Sequence, residues 1–192
     1  HGKLGNGTWT FYGGHDPEDY QQSQCLAYSR DRGRTWQRYE GSPVLPPPGF
    51  KDFRDPKVVW HGPSQRWVMA LACGQEIHFY TSHNLLEWQF ASAFGEGEGA
   101  HTQHPWECPD LFELGGRDIL IVCPQGLEAD GDKYHNLFQA GHFTGAFDSS
   151  MYTYSHGDFK ELDRGFDFYA PQTFTDGSGR RILIAWMGIT DD

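Results

Sequence analysis

The chain is poor in the features that join a protein to polyanions, bilayers or structural metals. Lys and Arg number 15 against 26 Asp and Glu, a net charge of −11. Nucleic acids and anionic lipid surfaces are bound through basic patches, so neither is expected as a partner. The longest uninterrupted apolar stretches, 119–123 and 182–187, fall far short of the roughly 20 residues of a helical membrane span. From His1 onward no basic start leads into an apolar core, so no secretory leader is expected. The four cysteines, Cys25, Cys73, Cys108 and Cys123, form no C-x-x-C pair, and their spacings of 48, 35 and 15 residues match no zinc pattern. They read as reduced thiols of a cytoplasmic protein. Neither a metal nor a cofactor is expected.

What is present is β-forming. Aromatic residues make up 16% of the chain, with 24 glycines and only 3 methionines, a balance of strands and turns over long helices. Three segments open on a proline and continue into alternating apolar positions: Asp55-Pro56-Lys57-Val58-Val59-Trp60, Cys108-Pro109-Asp110-Leu111-Phe112 and Ala170-Pro171-Gln172-Thr173-Phe174. The prolines are 53 and 62 residues apart. A second strand follows each: 66–71, 118–122 and 181–185. A third is read as ending in a tyrosine and a small hydroxyl residue, at Phe79-Tyr80-Thr81-Ser82 and Tyr152-Thr153-Tyr154-Ser155, with Leu26-Ala27-Tyr28-Ser29 as an earlier counterpart. Units of three or four antiparallel strands repeating at about 50–60 residues indicate propeller blades rather than a β-sandwich. A ring needs about 4–8 blades, and the chain supplies about three and a half, so the propeller is expected to be incomplete. Ser29-Arg30-Asp31-Arg32-Gly33-Arg34-Thr35-Trp36 fits the Asp-box hairpin of many propellers. Asp31 and Gly33 would serve its turn and Trp36 would pack between sheets.

Two acids stand where successive repeats open: Asp55 in Phe53-Arg54-Asp55-Pro56, and Glu107 in Trp106-Glu107-Cys108-Pro109-Asp110. Reading these as matching places, the first strands of adjacent blades would bring both carboxyls to one pocket. Glycosidic cleavage needs such a pair, one protonated and one ionised. Arg54 would hold a carboxylate ionised or bind hydroxyls through its planar fork. Trp106 would supply an apolar wall beside Glu107. Both acids could equally be turn residues on spacing alone. His101-Thr102-Gln103-His104 has the i, i+3 spacing of a metal pair, but the surrounding glycines and Pro105 indicate a loop bordering the pocket. Cys108 is expected to pack beside Glu107 without a nucleophilic role.

Phe53-Arg54-Asp55-Pro56 and Trp106-Glu107-Cys108-Pro109-Asp110 resemble the R-D-P and E-C motifs of glycoside hydrolase family 32. Phe166-Asp167-Phe168-Tyr169-Ala170-Pro171-Gln172-Thr173-Phe174 and 179–188 are similar to the family's next block. Segments 123–128 and 136–141 are most similar to its bacterial branch acting on sucrose 6-phosphate. The resemblance runs in order from about Trp9 to Gly188.

This resemblance implies an all-β, five-bladed β-propeller that hydrolyses β-fructofuranosides with retention. Glu107 matches the acid/base residue, and Asp55 the transition-state stabiliser that binds fructose hydroxyls. Arg54 matches a residue organising the acids, and Tyr169 and Trp186 are expected to line the pocket. The family's nucleophile is the Asp of a W-M-N-D-P-N-G-type motif, which these residues lack. Asp16-Pro17 is without the flanking Trp, Asn and Gly and reads as a loop. Residues 1–192 are thus expected to be one partial catalytic propeller, lacking the first blade and a C-terminal β-sandwich, and inactive alone. The substrate would be a small sugar: sucrose, sucrose 6-phosphate or, as an alternative, levan or inulin. A non-catalytic fructoside-binding propeller is the second class, and a protein-binding propeller the third.

Overall fold

The computed structural model describes residues 8–15, 21–49, 52–95 and 105–188. Asp16-Pro17 and the His101/His104 pair lie outside the described residues. Every helix or strand among the described residues is a β-strand, in four antiparallel sheets built from consecutive segments. The first joins β1 (Thr8–His15), β2 (Gln22–Ser29) and β3 (Gln37–Arg38) in that order. The second runs β4 (Phe53–His61), β5 (Arg66–Cys73), β6 (Glu76–Ser82), β7 (Gln89–Phe94). The third runs β8 (Trp106–Leu114), β9 (Arg117–Pro124), β10 (Gly141–Phe147), β11 (Tyr154–His156), with β12 (Lys160–Glu161) also pairing β10. The fourth pairs β13 (Tyr169–Thr175) with β14 (Arg181–Trp186). Opening strands β1, β4, β8 and β13 touch one another in succession. The sheets are therefore ranged about their first strands as propeller blades, the all-β class expected from the repeat.

Alternation along the strands explains the core. Successive residues of a strand face opposite sides, and β5 is buried on both. Val68, Ala70 and Ala72 join Phe79, Phe94, Trp106, Leu120, Val122 and Phe143 between the second and third sheets. Met69, Leu71 and Cys73 join Leu45, Phe53 and Tyr80 on the other side. The rings interlock edge to face, as in Phe79–Phe147 (5.0 Å) and Phe94–Tyr154 (5.5 Å, 89°).

Two sequence expectations change in the fold. Tyr152–Ser155 does not end a third strand, because Tyr154 begins the outer β11. The third strand of that sheet is β10, whose glycines hid it. Those glycines are required: a Cβ on Gly145 would lie 1.9 Å from the Ser155 carbonyl oxygen.

The Asp-box turn forms as read. Asp31 Oδ1 accepts from Ser29 Oγ and from the N–H groups of Arg34 and Thr35, and its Oδ2 accepts from Thr35 Oγ1. Gly33 takes a φ of 83°. Trp36, however, does not pack between sheets. It is 44% exposed and folds back on its own turn, its indole N–H donating to Gly33 O at 3.1 Å.

A second, degenerate copy of this turn went unread in the sequence. After β6, Ser82 Oγ accepts from Leu85 N–H and Asn84 Oδ1 accepts from Leu86 and Glu87 N–H, while Trp88 donates to Leu85 O. Asn84 and Leu85 replace the Asp and Gly that mark the motif.

Candidate active site

Strands β4, β8 and β13 open with one shared device. Their registers shift between Arg54 and Lys57, between Glu107 and Asp110, and between Tyr169 and Gln172. In each shift the residue before proline has a positive φ: Asp55 at 59°, Cys108 at 52° and Ala170 at 50°. Proline has no N–H to give to a ladder, so the strand bulges there. A non-glycine residue in this region is strained, and its recurrence at three equivalent places makes it part of the architecture. The equivalence also corrects the pairing read from sequence. Asp55 matches Cys108 and Ala170, whereas Glu107 matches Arg54 and Tyr169. The two acids stand one residue out of step, because the proline, not the acid, marks the repeat.

The three matched side chains meet. Glu107 Oε1 accepts from Arg54 Nη2 at 3.0 Å and Nε at 3.3 Å, and Glu107 Oε2 accepts from the Tyr169 hydroxyl. Arg54 Nη1 donates to Asp52. Asp55 Oδ2 accepts from the backbone N–H of Cys108 at 3.0 Å, with the thiol 3.8 Å away. Glu107 is thus held between donors from the preceding and the following blade, and Asp55 is tied to the bulge that carries Glu107. Side-chain exposures of 22% for Arg54 and 20% for Glu107 leave this cluster sheltered yet reachable by solute.

Electrostatics follow from these contacts. Burial, then the bond to Glu107, push the Tyr169 hydroxyl well above its ordinary range, so it stays protonated and donates. Burial disfavours the Arg54 charge, but the carboxylates of Asp52 and Glu107 more than offset it and raise the guanidinium pKa. Hydrogen bonding to Cys123, then burial, push the Cys108 thiol far up, in keeping with a packed and unreactive cysteine. All four cysteines are free.

Two neighbours differ from expectation. Trp106 forms no wall for Glu107. Adjacent strand residues face opposite ways, and Trp106 turns into the core against Phe94 and Phe143. Trp186 pairs in register with Tyr169 across β13–β14 and is 53% exposed, which puts it at the margin of the cluster. Asp52 was not singled out in the sequence; it lies just before β4 with a φ of 60°, outside the strand's alternation, and still reaches Arg54. Phe138 was also missed; its ring meets Tyr169 edge-on at 5.7 Å. A groove bordered by Trp60, His61, Phe112, Glu113 and Arg181 contains none of these residues. Among the described residues no three His, Cys, Asp or Glu gather as metal ligands.

Carboxylates at the bulged openings of a propeller's first strands are groups that glycosidic cleavage can use. Residues 3–192 match the Glycosyl hydrolases family 32 N-terminal domain, and the chain belongs to this family. It is 46% identical over 177 residues to sucrose-6-phosphate hydrolase of Bacillus subtilis (strain 168), covering 88% of this chain and 36% of that protein. It is 41% identical over 179 residues to levanase of the same organism, covering 86% and 25%. Among solved structures, a variant of Bombyx mori β-fructofuranosidase in complex with sucrose superimposes with a TM-score of 0.84 at 38% identity, over 96% of this chain and 41% of that one. Sucrose-6-phosphate hydrolase from Lactobacillus gasseri gives 0.81 at 26% identity, over 95% and 39%. The chain spans about a third or less of the length of the two Bacillus relatives.

Proposed function

We propose that this chain is part of a β-fructofuranosidase that cleaves a terminal β-D-fructofuranoside with retention, acting on sucrose or sucrose 6-phosphate. The observation that carries the reading is Glu107 held between Arg54 and Tyr169, with Asp55 tied to the same bulge. Glu107 gives its proton to the glycosidic oxygen as the bond from that oxygen to the fructosyl carbon breaks. A carboxylate outside this cluster takes the fructosyl carbon in a covalent bond. Water then displaces it, losing a proton to Glu107.

Asp55 binds fructose hydroxyls and stabilises the developing positive charge. Arg54 orients Glu107, and Tyr169 and Trp186 border the sugar. None of the 192 residues stands in the family's W-M-N-D-P-N-G-type motif, so the nucleophile belongs to another part of a five-bladed ring. The likeness of 123–128 and 136–141 to the sucrose 6-phosphate branch, and the identity to the Bacillus hydrolase, support the phosphorylated substrate. Four free cysteines support the reading of a protein from a reducing compartment, the cytoplasm.

The test is hydrolysis of sucrose, sucrose 6-phosphate and levan by the intact protein, by its Glu107→Gln variant, and by residues 1–192 alone. Loss of hydrolysis in Glu107→Gln and none by the short chain is the expected result. Undiminished hydrolysis in Glu107→Gln overturns the acid assignment. Fructose release by the short chain overturns the external nucleophile.

A further inference from the structure

One step along each bulge from the acid cluster lies another matched set: Lys57, Asp110 and Gln172. Lys57 Nζ donates to the Thr173 carbonyl at 2.7 Å and to Gln172 Oε1 at 3.3 Å, and lies 3.1 Å from Asp110 Oδ1. Asp110 Oδ2 accepts from the Thr173 N–H at 2.6 Å. A cation from the second sheet and an anion from the third thus grip both the N–H and the C=O of one residue in the fourth. Asp110 is fully buried. Taking an ion pair out of water is costly, and apolar replacements of such pairs are often no less stable. What the pair supplies here is geometry. Among the described residues β13 has one strand partner, β14. Its lateral placement against β8 is shared between this grip, Gln172 Nε2 bonded to the carbonyls of Cys108 and Pro109, and the packing of Tyr169 and Ala170 with Cys108, Cys123 and Phe138. Tyr169 lies on the same strand, four residues before Thr173.

We propose that Lys57 and Asp110 are positioning residues that hold β13 where the Tyr169 hydroxyl meets Glu107. The proposal rests on the reading of Glu107 as the acid. Its test is steady-state kinetics of the intact protein on sucrose, with folding of each variant checked by circular dichroism. Lys57→Met keeps the stem and deletes the donor. It should lower kcat between about tenfold and a hundredfold, as small displacements of a reacting group do, with KM changed far less. Because Lys57 acts through Tyr169, Lys57→Met/Tyr169→Phe should lose little more than Tyr169→Phe alone.

A general structural weakening predicts additive losses instead, and additivity overturns the proposal. So does an unchanged kcat in Lys57→Met. If Lys57→Met does not fold, Asp110→Asn keeps an oxygen for Thr173 N–H while removing the partner charge. The same split is then expected, smaller in size, and an unchanged kcat overturns the proposal. Loss of activity in Glu107→Gln beside a normal Lys57→Met overturns the positioning role alone. Full activity in Glu107→Gln overturns the acid reading and this proposal with it.

Discussion

Replacing Tyr169 by Phe removes one oxygen atom and isolates the contact that distinguishes this cluster. The ring is 4% exposed and keeps its edge contact with Phe138, so the fold should survive. What is lost is the hydroxyl that donates to Glu107 Oε2. On the proposed reading Glu107 becomes a carboxylate as it protonates the leaving oxygen, and a donor already aimed at it stabilises that developing charge. A hydrogen bond to a charged group contributes about 1.5–3 kcal/mol. At 1.36 kcal/mol per tenfold, kcat should fall by about 10- to 150-fold. The lower part of that range is favoured because water can reach Glu107, whose side chain is 20% exposed.

The assay compares two fructosides in the intact protein: sucrose, whose leaving group needs a proton, and an aryl fructoside, whose acidic leaving group needs little. The loss should be large for the first and small for the second. An equal loss for both, or none for sucrose, would refute the argument that Tyr169 acts through the acid.

Asp55→Asn should keep an acceptor for Cys108 N–H and leave Tm near that of the parent. It should lower kcat on sucrose by several kcal/mol of transition-state stabilisation, about a thousandfold, since a preorganised charge is lost; a change below tenfold counts against its role. Gly145→Ala puts a methyl 1.9 Å from Ser155 O, so β11 must leave β10. The cost is about 1–3 kcal/mol, visible in thermal melting or in faster amide exchange along β11, and unchanged exchange would be inconsistent with the contact. Asp31 and Asp176 are held at about 2 by hydrogen bonds, first from Thr35 N–H and from Ser178 Oγ respectively. Folded values below the unfolded one contribute stability that is complete above about pH 4 and is lost as pH falls through about 2. The Tm difference between the parent and Asp31→Asn/Asp176→Asn should therefore shrink between pH 5 and pH 2. A difference constant with pH would exclude the carboxylates as its source.

The sequence by itself determined the blade repeat, because X-Pro followed by alternating apolar residues dictates a strand that starts at a bulge and then pairs. It also determined the Asp-box turn, whose bonds lie within seven residues, and the family, through contiguous motifs around Asp55 and Glu107. It set the third strand of that sheet at 152–155 and passed over β10, where glycines in close approach to β11 carry no strand signal, and it left unread the second turn box, where Asn84 and Leu85 perform the turn without its usual letters. Tertiary structure alone decided which residues face one another. Side-chain alternation sent Trp106 into the core and Glu107 toward Arg54 and Tyr169. Counting from the proline put Arg54, Glu107 and Tyr169 in one matched set, and Lys57, Asp110 and Gln172 in another. These residues are 53 and 62 positions apart and share no local pattern. They meet because each blade presents the same bulge to its neighbour, and that relation exists only once the sheets have packed.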